Sequence, residues 1–156
     1  MNYIINLSVS VILALSIYCT PILELDQYLV QNYKWKIEIP AIELEANIAE
    51  GTTKEILDTH VGHFENTKKT NGNIGLAAHN RGYKVNYFNN IKNLKIGEEV
   101  YYQCGFIKKK YIVFSVHLIS DEDWSFLQNT KENTITMITC VENMPSLRYC
   151  VQAKQM

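Results

Sequence analysis

Cys140 and Arg148 stand on either side of a turn in the stretch TITMITCVENMPSLRYCV, residues 134–151. A thiolate that attacks a carbonyl creates an oxyanion, and a guanidinium fork beside it stabilises that charge through fixed donors. Such chemistry also needs an acid and base, and IGLAAHNRG supplies His79 at the end of an apolar run. A lone histidine is usually an ordinary surface or core residue. The conjunction with Cys140 and Arg148 is what points to covalent catalysis. Arg81 is a rival guanidinium, but by sequence it belongs to the histidine's loop, away from the closing hairpin.

The elements that must position these groups are legible as short periodic runs. Ile135, Met137 and Thr139 alternate with Thr136, Ile138 and Cys140, the period of a strand with one buried face. Residues 143–146 make a turn, and the chain returns through Leu147, Tyr149 and Val151 with Arg148 and Cys150 on the other face. Upstream, residues 35–39 alternate, Pro40 breaks the run, and residues 41–48 alternate again. Thr52 with Glu55 fits a capping box opening a short helix through Leu57. Residues 65–73 are a polar surface loop, and residues 73–78 are a buried strand ending at His79. A short helix is expected over 87–94, then a hairpin of 99–104 and 109–116 turning at Gly105, with His117 in its continuation. Residues 121–127 read as a helical turn on the loop before the nucleophile strand. Many short strands and one or two brief helices predict a mostly-β chain, a small closed barrel.

At 156 residues the chain accommodates one domain plus an appendage. Its formal net charge of -1 offers no basic field for nucleic acid. Residues 3–19 carry no charge and are mostly apolar, at the short end for a bilayer span. No basic n-region precedes them and no A-x-A site follows, which disfavours a cleaved signal peptide. A helix apolar all round suits lipid better than a core. The expected organisation is a signal-anchor over 1–23, a juxtamembrane connector over 24–34 and a catalytic barrel over 35–156. Lys and Arg near the segment show no bias that would orient it.

The remaining candidate ligands are weak. His60 and His63 form an H-x-x-H without companion ligands, and the cysteines make no C-x-x-C, so no metal site is expected. His63 reads as a ring packed at a groove edge and bonded to backbone. The four cysteines, at 19, 104, 140 and 150, lack the spacing of a disulfide framework. Cys104 reads as a small buried hydrophobe. Cys150 shares a face with Arg148 near Cys140, and both thiols are expected to be free. Trp124 either anchors its loop or packs over the groove.

Taken together, His79, the run Thr136-Met137-Ile138-Thr139-Cys140 and Arg148 resemble the sortase constellation: a histidine, a cysteine closing a T-L-x-T-C motif, and an arginine on the next strand. Met137 for Leu is a volume-conserving departure. The resemblance runs from about residue 35 to the C-terminus through VGHFENT, IGLAAHNRG and YFNNIKNLKIGEEVYY, and is nearest to the class D branch of Gram-positive bacteria. It implies a barrel of about eight strands with a groove on its outer wall. It implies a membrane enzyme whose catalytic domain lies outside the cytoplasm. Cys140 would be the nucleophile, His79 the acid and Arg148 the oxyanion donor, with Thr139, His63 and Trp124 as substrate-binding candidates. The implied substrate is a secreted protein with a C-terminal LPxTG-like sorting signal. The implied acceptor is a cell-wall precursor amine, or alternatively a pilin lysine. No cofactor is implied; some sortases are calcium-stimulated, but no acidic cluster here suits that ion. Two rival classes stand beside this reading: a membrane-tethered cysteine hydrolase, and a binding barrel whose Cys, His and Arg are incidental. A carboxylate orienting His79 would favour a papain-like hydrolase, and the sequence places none there.

Overall fold

Short alternating runs punctuated by glycine and proline become eight strands in the computed structural model, which describes residues 34–156. They are β1 (Trp35–Ile39), β2 (Leu44–Glu50), β3 (Val61–His63), β4 (Asn73–Ala77), β5 (Glu99–Cys104), β6 (Ile107–Ser120), β7 (Thr134–Val141) and β8 (Met144–Gln155). The sheet closes on itself in the order β1-β2-β3-β4-β7-β8-β6-β5. Closure removes the unpaired edges that an open sheet of this size would expose. One α-helix, α1 (Lys54–Leu57), lies in the β2–β3 crossover, and single 3-10 turns occur at Pro40–Ile42, Ile91–Asn93 and Ser125–Leu127.

Inward-facing residues of successive strands fill the barrel: Ile37, Ile39, Ile48, Val61, Ile74, Leu76, Tyr102, Tyr111, Ile135, Met137 and Val151 are all buried there. Phe88, Ile91 and Leu94 join this core from the loop between β4 and β5. A smaller cluster of Ile119, Leu127, Ile138 and Cys150, flanked by Phe64 and Phe126, covers part of the outer wall.

That second cluster changes the expected pattern of β7. Alternation predicted one buried face, yet residues 134–139 are buried on both. The β6–β7 loop lies across the outer face, where the carbonyl of Phe126 accepts hydrogen bonds from Thr136 Oγ1 (3.2 Å) and Asn73 Nδ2 (2.7 Å). Gly75 permits this packing, because a Cβ there would stand 2.8 Å from Leu127 Cδ2. Burial of β7 ends at Cys140, which is exposed.

Other boundaries also moved. The second strand begins at Leu44 rather than residue 41, because Pro40 opens a 3-10 turn and Glu43 adopts a left-handed φ of 52°. Thr53, not Thr52, caps α1, and it makes no side-chain capping bond. The helix expected over 87–94 is reduced to the turn Ile91–Asn93. Of the H-x-x-H pair, His63 lies on β3, which pairs parallel to β2, and His60 lies on the bend before it. Among the described residues no helix is long and apolar enough to cross a membrane. The expected signal-anchor over 1–23 and connector residues 24–33 lie outside the described residues.

Candidate active site

The register of β7 with β8 sets Cys140 directly opposite Arg148, so both side chains stand on the outer wall. The turn between them is tighter than expected. Val141 pairs with Met144, leaving Glu142 and Asn143 as its tip, and Asn143 takes the positive φ of 58° that Asn tolerates. The register shifts between Cys140 and Val141, so residues 145–147 form an unmatched excursion of β8. Arg148 Nη1 donates to the carbonyls of Pro145 (2.6 Å) and Leu147 (2.8 Å) in that excursion, and Nη2 lies 3.6 Å from Asp121 Oδ2.

His79 arrives from the other neighbour of β7. Strands β4 and β7 are parallel, with Ala77 level with Ile138. Carried on in register, this pairing brings Ala78 level with Thr139 and His79 level with Cys140. Two hydrogen bonds lock that continuation: Thr139 Oγ1 donates to the Ala78 carbonyl (2.7 Å), and Asn80 Nδ2 donates to the Cys140 carbonyl (3.0 Å). Both polar side chains are buried, and the Thr139 bond is shielded from competing water. Asn80 is not among the residues singled out from the sequence. Its signal was the common habit of Asn side chains to bond backbone groups at strand ends.

The imidazole of His79 is held on two sides. Tyr83 stacks flat on it, with centroids 3.5 Å apart and planes 5° from parallel. Asp58 Oδ1 lies 3.3 Å from Nε2, an ion-pair contact that falls short of an aligned hydrogen bond. Asp58 closes α1 at its C-terminus and receives a 2.5 Å contact from Lys54 Nζ. Hydrogen bonding from Lys54 holds the Asp58 carboxyl below its ordinary value, and His79 acts in the same direction. Sequence reasoning could not find Asp58, because the crossover containing α1 decides where it points. Gly62 lets that crossover press onto β3, since a Cβ there would meet Gly51 O at 2.4 Å and Leu57 Cδ2 at 2.7 Å.

Arg81 corrects another expectation. Its loop folds across to the closing hairpin, where Nη1 pairs with Glu142 and Nη2 donates to Asn143 Oδ1 (2.9 Å). Its guanidinium is thereby committed to the turn.

These groups line a groove of about 680 Å³ whose walls include His79, Tyr83, Ile119, Trp124, Cys140 and Arg148. Trp124 is 61% exposed at its rim and meets Phe64 edge-on, ring centroids 6.2 Å apart. Thr139 borders the groove, but its hydroxyl is spent on Ala78. His63 is not at the groove edge. It is fully buried, with Nδ1 2.9 Å from Glu50 Oε1 and Nε2 3.1 Å from the Lys68 carbonyl. Burial acts to raise the Glu50 carboxyl, but Lys69 and His63 outweigh it and hold it below its ordinary value. Cys150 faces Ile138 rather than Cys140 and is fully buried. Burial, aided by Asp123, pushes its thiol up to about 12. No group of three or more potential metal ligands converges among the described residues.

Comparison with known proteins agrees with this geometry. The Sortase domain profile matches residues 37–156. Sortase A of Bacillus anthracis is 31% identical over 107 residues, covering 68% of this chain and 51% of that protein. Sortase D of Bacillus subtilis strain 168 is 29% identical over 128 residues, covering 76% of this chain and 62% of that protein. The chain thus spans about half to three-fifths of the length of these curated relatives. A Clostridium perfringens Sortase D5 transpeptidase superposes with a TM-score of 0.71 at 32% identity, covering 80% of this chain and 79% of that structure. A barrel of this topology, a thiol opposite an arginine across one seam and a histidine level with it across the other, and a profile match over most of the chain place the protein in the sortase family.

Proposed function

We propose that the chain is a cysteine transpeptidase that cleaves an LPxTG-like sorting signal and joins the released acyl group to an amine. The observation that carries this reading is the exposed thiol of Cys140 in a groove with Arg148 opposite it and His79 beside it. The Cys140 thiolate attacks the scissile carbonyl carbon, and its oxygen becomes an oxyanion facing the Arg148 guanidinium. The carbon–nitrogen bond then breaks, His79 gives its proton to the leaving amine, and a thioester remains on Cys140. An acceptor amine attacks that thioester, passes a proton to His79 and expels the thiolate, which restores the enzyme. Trp124 and Thr139 border the groove where a peptide would lie. His63 is too deeply buried to touch one, and we assign it a structural place instead.

In this proposal the substrate is a secreted protein bearing the signal, and the acceptor is a cell-wall precursor amine. The apolar run at 3–19 anchors the chain in the membrane with the barrel outside the cytoplasm. Protease added to intact protoplasts should then degrade the barrel, and full protection would overturn that topology.

One observation favours the second reading. Asp58 beside His79 is the orienting carboxylate that a papain-like hydrolase would use. The two readings part at the acyl acceptor. Enzyme, signal peptide and an added amine such as hydroxylamine or a peptidoglycan-type stem peptide are incubated together, and products are read by mass spectrometry. An amide- or hydroxamate-linked product supports transpeptidation. Hydrolysed peptide alone, whatever amine is offered, supports the hydrolase. Cys140→Ala should abolish both outcomes.

A further inference from the structure

We infer that Asp58 is a positioning residue for His79: its carboxylate faces Nε2–H as the acceptor, and Nδ1 is left as the nitrogen that exchanges protons in the groove. Nε2 is buried from solvent, and the carboxylate oxygen of Asp58 lies 3.3 Å from it. A nitrogen so enclosed cannot deliver a proton to a leaving amine in the groove. The opposite side of the ring must do so.

The surrounding contacts fix this orientation. Tyr83 stacked at 3.5 Å blocks rotation of the ring out of its plane. Lys54 both pairs with Asp58 and stands 5.7 Å from the Tyr83 centroid, so α1 organises the carboxylate and the clamp together. The contact falls short of hydrogen-bond alignment in the unliganded site, where catalytic hydrogen bonds are commonly long and tighten when substrate binds. Lys54 keeps Asp58 ionised, so an anion faces the imidazole throughout the neutral range. The other charged or titratable groups lining the same groove are Arg81, Asp121, Asp123, Cys140, Glu142 and Arg148, with Tyr83 on the ring face.

The roles given to the two nitrogens rest on the acyl-transfer reading, but the geometry is testable without any substrate. Purified full-length chain labelled with 15N-histidine is titrated by NMR, and the His79 signals are identified by their loss in His79→Gln. Neutral His79 should be the Nε2–H tautomer. Asp58→Asn should shift the neutral tautomer balance towards Nδ1–H, and Asp58→Glu should restore most of the Nε2–H form. In the peptide-cleavage assay, Asp58→Asn should reduce kcat about tenfold with KM little changed. A neutral Nδ1–H tautomer in the unaltered chain, or an unchanged tautomer balance in folded Asp58→Asn, would overturn the assignment. Should Asp58→Asn lose its folded spectrum, the tautomer in the unaltered chain still decides. Absence of transpeptidation with the expected tautomer and shift would remove the function proposed above while leaving Asp58 in its place.

Discussion

Cys140 and Arg148 are cross-strand partners, and immediately beyond them the hairpin falls out of register. The unmatched residues 145–147 turn two carbonyls onto the Arg148 guanidinium, so its fork is oriented by its own strand before any substrate arrives. A donor fixed in advance needs no reorganisation as charge develops on the oxyanion. Arg148→Ala should therefore slow thioester formation by about 10²–10³. Arg148→Lys keeps a charge but neither the plane nor the paired anchors, and should recover only part of that loss. The rate of release of the C-terminal peptide fragment measures both, and an Arg148→Ala enzyme of normal rate would remove the oxyanion assignment.

The two thiols near the seam should differ sharply in reactivity. Cys140 is exposed, whereas Cys150 is fully buried with its thiol pushed up to about 12. Because the thiolate is the reacting form, iodoacetamide at pH 8 should label Cys140 and spare Cys150. Peptide mapping of the folded protein reads the ratio directly. Cys150→Ser should leave peptide cleavage largely intact.

Two buried polar side chains hold the histidine's strand against the nucleophile's. Thr139→Val keeps the shape and removes the donor to the Ala78 carbonyl, which should cost about 1–3 kcal/mol of stability. Asn80→Ala frees the Cys140 carbonyl, which lies near solvent and so finds water, and should cost about 0.5–1.5 kcal/mol. Its larger effect should be on kcat, because the nucleophile's backbone loses its tie. Urea denaturation and steady-state kinetics on the same preparations separate the two effects.

Glu50 links stability to acid. Its folded-state pKa is depressed by Lys69 and His63 against the opposing pull of burial, so the unfolded chain binds its proton more readily. The stabilisation is present above the unfolded-state value and is lost as pH falls through the folded-state value. Glu50→Gln should thus be less stable than the unaltered chain at pH 7, with the gap closing towards pH 3. A gap that stays constant in urea midpoint across that range would contradict this.

The placement of Cys140 and Arg148 was legible because a strand has a strict period of two, and a short turn leaves few registers. The same periodicity set the barrel's inward residues, from Ile37 to Val151. Burial of Thr136 and Ile138 was not legible, since it depends on where the β6–β7 loop lies. Asp58 and Asn80 escaped for a related reason. Each acts on a partner remote in sequence, and nothing in its immediate neighbours encodes that partner. His63 is the converse case. Its place in VGHF, by the sortase resemblance, suggested a groove position, but Glu50 and the Lys68 carbonyl satisfy it inside the wall. Arg81 was misplaced because loop length constrains its reach less than expected, so it arrives at Glu142 and Asn143.

The seam between β4 and β7 also has a temporal consequence. Its ties join residues 60 and 61 positions apart, Asn80 to Cys140 and Thr139 to Ala78. The hairpin that carries Cys140 and Arg148 is local and can form early, but the acid must wait for a long loop to close. During folding the thiol and Arg148 can therefore meet before His79 is in place. On the proposed mechanism a chain still folding carries a nucleophile without a working site, and acyl transfer would switch on only when the barrel shuts.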